Sequence, residues 1–145
     1  MKVNLKVVQM TSESNKVIYT IGYSGRKIND LISILKSYNI NLLVDVRRWP
    51  TSKVDDYKKE NLKIKLSEAG INYIWLGDKL GGYRSSGYEA YMNTNSFKEG
   101  IKKLIELSKS NVICIFCLER KPKYCHRRFI AGALEKRGFK VYHII

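Results

Sequence analysis

The stretch VIYTIGYSGRKINDLISILKSY, residues 17–38, decides how the rest of the chain reads. Its first part, VIYTIGY (17–23), is β-branched and aromatic, as strands are. A glycine-flanked turn, GYSGR (22–26), follows. Ile28, Leu31, Ile32, Leu35 and Tyr38 then recur at the spacing of one helix face. The unit is strand, turn, helix.

That unit repeats along the chain. LLVDV (42–46) reads as a second, buried strand, and Leu62, Leu66 and Ala69 mark a helix that stops at Gly70. INYIWL (71–76) is a third strand. A long glycine-rich loop follows, GDKLGGYRSSGYEAYMNTN (77–95), of the kind that serves as a lid or stays mobile. Phe97, Ile101, Leu104, Ile105 and Ser108 trace the next helix, with Asn95 or Ser96 as its cap. NVICIFC (111–117) is the fourth strand. Phe129, Ile130, Ala133 and Leu134 lie in a helix over 125–137, stopped by Gly138, and FKVYHII (139–145) is the fifth strand. Strands alternating with helices imply right-handed crossovers. The expected fold is α/β: a single three-layer domain with a mostly parallel five-stranded sheet and helices on both faces. Residues 1–16 are expected to supply an extra N-terminal edge strand (Val3–Val8) and a polar link, and residues 17–145 the domain.

The bulk numbers agree with one ordinary domain. A chain of 145 residues buries a core without staples. At 44% hydrophobic it is not a disordered tail. No apolar run approaches a membrane span, and the N-terminus lacks the pattern of a signal peptide. The expectation is a soluble, cytoplasmic protein with no membrane partner. Three cysteines, an odd count, do not make a secreted disulfide framework. The oligomeric state is left open.

The 27 basic and 13 acidic residues give a net charge of +14. Such an excess favours an anionic partner, nucleic acid or nucleotide, although a lysine-rich proteome would raise the lysine count on its own. The arginines say more. Arg26 follows the first strand, Arg47 and Arg48 the second, Arg84 the third, and Arg120, Arg127 and Arg128 the fourth; only Arg137 lies elsewhere. Open α/β sheets bind ligands at the carboxyl ends of their strands. The rigid guanidinium fork matches phosphate and carboxylate oxygens. This distribution predicts an anion site on that rim, unless these arginines only pair with Asp45, Asp78 or Glu119.

Three motifs lie on the rim. In DVRRWP (45–50), alternation sends Asp45 and Arg47 to the same side, so Asp45 either orients Arg47 or serves as a base. GYSGR offers backbone N–H groups to an anion but lacks the GxGxxG spacing, so no dinucleotide cofactor is assigned. CLERKPKYCHRR (117–128) sets Cys117 and Glu119 at a strand end. Cys125, His126 and Arg127 stand at the start of the next helix, where a helix N-terminus and arginines favour a thiolate. The spacing fits neither a common zinc site nor a phosphatase loop. A zinc site from Cys117, Cys125 and His126 would lack a fourth ligand, and no metal is assigned. A disulfide between Cys117 and Cys125 remains open. Cys114, inside the apolar run, reads as a buried packing thiol.

TIGYS (20–24), DVR with Pro50 and Ser52, GINYIWLG (70–77), LGG (80–82), CLE (117–119), CHR (125–127) and a terminal HI (143–144) occur in that order. The ordered set resembles the domain of unknown function 488 family over residues 17–145. Tyr57 departs from it, standing where a phenylalanine is expected. The resemblance implies a compact α/β domain and implies no reaction. It groups Tyr23, Ser24, Asp45, Arg47, Gly81, Gly82, Cys117, Glu119, Cys125, His126 and Arg127 in one pocket.

The expected function is a small enzyme acting on a phosphate-bearing substrate, nucleotide or nucleic acid, in a strand-end pocket. Asp45, Cys117, Glu119, Cys125 and His126 are the catalytic candidates. Tyr23, Ser24, Arg47, Gly81, Gly82, Arg84 and Arg127 are the substrate-binding ones. The alternative is a non-catalytic nucleic-acid-binding module that stacks bases on exposed Trp49, Tyr83 and Tyr88.

Overall fold

A computed structural model describes residues 16–145, so the expected N-terminal strand lies outside the described residues. The five expected strands form at β1 (Val17–Gly22), β2 (Leu42–Asp45), β3 (Asn72–Trp75), β4 (Ile113–Cys117) and β5 (Lys140–Ile144). All pair in parallel, in the order β3-β2-β4-β1-β5. β2 and β4 are buried at every residue, as interior parallel strands must be when both faces are covered.

Four longer helices supply the cover: α1 (Ile28–Ser37), α2 (Lys59–Glu68), α3 (Asn95–Ser108) and α4 (Arg127–Glu135). Leu31 and Leu35 of α1 and Leu62 and Leu66 of α2 pack with Leu43, Cys114 and Phe116 on one face. Phe97, Ile101 and Leu104 of α3 and Ile130 and Leu134 of α4 pack with Val44, Ile115 and Cys117 on the other. The sheet thus lies between two helical layers. No helix among the described residues is long and apolar enough to cross a membrane.

The strand order fixes where a ligand can enter. The chain runs outward from β1 to β2 to β3, then returns to insert β4 between β2 and β1. Connections from β4 and from its neighbours leave in different directions, which opens a crevice at the carboxyl end of β4. Phe116 and Cys117, consecutive residues, point to opposite faces there.

Two local expectations change. The cap of α3 is Thr94, whose hydroxyl accepts from the Phe97 N–H at 3.3 Å, not Asn95 or Ser96. The loop over 77–95 is not a free lid. It contains two single helical turns, Gly77–Leu80 and Tyr88–Tyr91, and the Tyr88 and Tyr91 hydroxyls donate to the Leu80 and Lys79 carbonyls at 2.7 and 2.6 Å.

β1 continues past its last ladder residue by bonding to the tail of β4, with the Tyr23 and Ser24 N–H groups donating to the Cys117 and Leu118 carbonyls, both at 3.0 Å. Gly22 lies directly under this crossing. A Cβ there would stand 1.8 Å from the Glu119 carbonyl oxygen, a backbone atom that cannot swing away. Gly22→Ala is expected to destabilise the domain by about 2–3 kcal/mol, read as a lowered urea midpoint; an unchanged midpoint would contradict the close crossing.

Candidate functional site

The crevice at the end of β4 holds a cleft of about 330 Å³ whose lining includes Tyr23 from the tail of β1, Arg47 from that of β2, and Cys117 and Glu119 from that of β4. Gly82, Cys125 and His126 complete it from the loop after β3 and the approach to α4. Two buried arginines lie near it: Arg47 reaches the lining, whereas Arg127 and Asp45, both fully buried, line neither this cleft nor the two that adjoin it, so the expected grouping in one pocket is incomplete.

Arg47 is 6% exposed and pairs with fully buried Asp45, Nε to Oδ1 at 2.9 Å and Nη2 to Oδ2 at 2.8 Å. Its Nη1 donates to the Thr51 and Tyr57 carbonyls at 3.2 and 2.7 Å. The Tyr73 hydroxyl donates to Asp45 Oδ2, and the Arg47 N–H to Oδ1. The guanidinium carbon also lies 5.4 Å from the Tyr23 ring centroid and 5.0 Å from that of Phe116. Burial alone would lower the Arg47 pKa, but the hydrogen bonds and charge of Asp45 outweigh it and raise the value. Burial, reinforced by the Asp45 charge, pushes the Tyr73 phenol up. Alternation does put Asp45 and Arg47 on one side, and the pair is a closed structural unit. Both carboxylate oxygens are engaged within it.

Arg127, the first residue of α4, is 0% exposed. Its Nη2 donates to the Arg120 carbonyl at 2.7 Å and its Nη1 reaches Cys117 Sγ at 3.3 Å. Its Nε has no partner, and among the described residues no carboxylate lies within ion-pair distance of it. The surrounding groups feel this charge. Burial and then the Arg127 charge lower the His143 pKa. Arg26 is lowered by burial, then by Arg120 and Arg127.

A buried cation needs a compensating anion. The group in contact is sulfur. Cys117 Sγ lies 2.7 Å from Cys125 Sγ, and both cysteines are free. The hydrogen bond from Cys117 is the main cause that lowers the Cys125 thiol below the usual range; burial opposes it, and His126 and the Arg127 backbone N–H assist. The same hydrogen bond, with burial, raises Cys117 well above that range. One proton held between two sulfurs fits this pattern, with either sulfur able to donate it and the guanidinium in contact with Cys117. Cys114 lies elsewhere, fully buried, and burial raises its thiol.

His126 stands at the cap of α4. Its Nε2 is 3.2 Å from the Val46 carbonyl and its Nδ1 is 3.8 Å from Cys125 Sγ. A carbonyl only accepts, so Nε2 is the donor to Val46, and Nδ1 is the ring nitrogen that faces the sulfur. Gly82 makes room for the ring: a Cβ there would stand 3.0 Å from Nδ1. Among the described residues no group of three or more His, Cys, Asp or Glu side chains is placed to hold a metal ion.

The other candidates divide between two adjoining clefts. One, of about 680 Å³, carries Arg84, Arg48, Trp49 and Tyr83. The second, of about 730 Å³, carries Ser24, Arg26 and Lys53. Gly81 packs against the Arg48 backbone and lines none of these three clefts. Glu119 lines the central cleft and makes no ion pair with the other described residues. Tyr88 is not an exposed platform: it is half-buried, 5.3 Å from the His126 ring and 5.5 Å from that of Phe129. Tyr73 and Tyr57 escaped sequence reasoning, because their rings read as packing and only their hydroxyls and carbonyls reveal their part in the Asp45–Arg47 unit. Tyr124, 66% exposed at the mouth of the central cleft, was also missed.

Residues 27–134 match the family model described as "Domain of unknown function DUF488". No curated protein and no solved structure matches the chain significantly.

Iodoacetamide at about pH 6 is expected to alkylate Cys125 about tenfold faster than an ordinary free thiol, which is almost wholly protonated there. Cys114 should stay unlabelled until the chain unfolds. Arg127→Gln should slow Cys125 labelling about tenfold, with Arg127→Lys retaining much of the rate. Peptide mapping by mass spectrometry reads each site. Labelling at pH 6 no faster than that of free cysteine would rule out the shared-proton pair.

Proposed function

The chain belongs to that family, and we propose that it is a small thiol-dependent enzyme acting on a phosphate-bearing substrate, a nucleotide or nucleic acid, in the strand-end cleft. One observation carries this reading: a fully buried guanidinium with no carboxylate at ion-pair distance among the described residues, in contact with one of two touching sulfurs that line an open cleft. A passive binder has no use for that arrangement, and its cost in desolvation is high. Perturbed titratable groups converging in a cleft are the ordinary mark of chemistry.

The roles follow from position. Cys125 is the nucleophile. Cys117 donates its proton in a hydrogen bond to the Cys125 sulfur, and Arg127 compensates the charge. Attack of the thiolate on an electrophilic centre of the substrate forms a sulfur adduct and expels a leaving group. His126 Nδ1, beside the sulfur, accepts a proton from the water that releases the adduct. Glu119 is placed in the lining to meet a donor on the substrate. Arg48, half-buried at the cleft wall and making, among the described residues, one side-chain hydrogen bond, from Nη1 to the Tyr83 carbonyl, keeps guanidinium donors for a phosphate.

A second reading, a binding module without chemistry, draws on the exposure of Trp49, Tyr83 and Tyr124 at 59%, 83% and 66%. The two readings part at Cys125. Inorganic phosphate and AMP at millimolar concentration are expected to slow iodoacetamide labelling of Cys125 about threefold or more, the protection fading as salt rises. Arg48→Ala should remove it. In the same protein, Cys125→Ser should abolish turnover of a protecting nucleotide while preserving its binding. Fast labelling that no phosphate compound slows would refute the phosphate-bearing substrate; full turnover by Cys125→Ser would refute the nucleophile and favour the module.

A further inference from the structure

We infer that the substrate is a single strand of nucleic acid laid across a three-part groove, with one unit entering the central cleft and its neighbours held on either side. This rests on the reading of the central cleft as a site for a phosphate-bearing substrate, and it adds the class: a polymer, not a free mononucleotide.

The groove is continuous. The central cleft shares Arg48, Trp49 and Tyr83 with the first flanking cleft and Tyr23, Thr51 and Leu118 with the second. Its volume, about 330 Å³, is at the lower end for a small-molecule site and suits one nucleoside-sized unit. The flanks, about 680 and 730 Å³, are larger than the centre they serve. A mononucleotide in the centre would leave both empty.

Charge runs the length of the groove. Arg48 and Arg84 stand on one arm, Arg26 and Lys53 on the other. Arg84 is anchored by bonds to the Gly81 and Asp78 carbonyls, both at 2.9 Å, and its guanidinium carbon lies 3.9 Å from the Tyr91 ring centroid. Among the described residues lining the three clefts, the only acid is Glu119, in the centre. A backbone of regularly spaced phosphates complements cations on both arms; a lone anion does not.

The aromatics speak for bases. Trp49 and Tyr83 pair with ring centroids 5.6 Å apart at the junction of the centre and one arm, and both face solvent. Tyr83 holds φ 59°, a left-handed conformation that is unfavourable for a non-glycine residue of this bulk. The Arg48 Nη1 fixes its carbonyl at 2.6 Å. The fold therefore strains the backbone to keep an aromatic ring outside, 83% exposed, with the Trp49 ring beside it. Unstacked bases offer the faces such rings bind, and a duplex hides them.

Fluorescence anisotropy with labelled mixed-sequence DNA and RNA single strands of about 12 nucleotides tests this. The full chain is expected to bind one or both about 100-fold more tightly than AMP competes, and about tenfold more tightly than the matching duplex. Trp49→Ala and Tyr83→Ala should each weaken binding about fivefold or more. Arg84→Ala and Lys53→Ala should each flatten the salt dependence by about one ion, with Lys102→Ala on α3 as the unaffected control. If AMP competes as tightly as the strand binds, the polymer inference falls while the phosphate reading stands. If polyphosphate or duplex binds as well as the single strand and Trp49→Ala changes nothing, binding is diffuse and the inference falls. If the strand binds as expected but the Cys125→Ser protein turns it over fully, the groove stands and the thiol enzyme does not.

Discussion

The site depends on a positive charge that cannot leave. Arg127 is anchored in α4, sealed from water, and holds one backbone carbonyl and one sulfur. Its neighbours make the charge harder to hold. Arg26 lies within its field, and the positive end of α4 adds to it. A guanidinium cannot be neutralised by losing its proton, so the compensation falls to the sulfur pair. That requirement accounts for the local chain path: Cys117 ends a buried strand, and Cys125 is extended at φ −132°, ψ 145°, just before the helix.

Arg47 is the instructive contrast. It is nearly as buried, yet Asp45 meets it with both oxygens, and two carbonyls take up its Nη1. Its charge is spent on structure, pinning the loop after β2 to Tyr57 and Tyr73. The two arginines lie on opposite faces of one sheet because β4 sits between β2 and β1 and sends Phe116 and Cys117 opposite ways. His126, bonded to the Val46 carbonyl, is the stitch between them.

Much of this could be read from the chain, for identifiable reasons. Buried parallel strands and one-faced helices leave periodic runs, so VIYTIG, LLVD and ICIFC announced themselves, and the strand-end rule then collected the arginines. Alternation placed Asp45 and Arg47 together. The rest needed closure. Nothing in the spacing distinguishes an arginine paired with a carboxylate from one sealed beneath a thiol, so Arg47 and Arg127 read alike. Thr94, Asn95 and Ser96 are consecutive good caps, and only the chain's path selects Thr94. In the sequence Tyr88 reads as an exposed ring because its loop carries no apolar period; the bond to the Leu80 carbonyl shows the loop packed.

The placement of Arg127 at the first turn of α4 also bears on how such a protein can change. A cation is the least suitable residue for a helix N-terminus, and here it is buried as well. Replacing it with an apolar residue of similar volume would remove both penalties and leave the sulfurs with an ordinary, shared proton. On the proposed function, the domain would then gain robustness as it lost its reactive thiol. Drift toward thermal hardiness and retention of chemistry pull this one position in opposite directions, a stability–activity trade-off lodged in a single side chain.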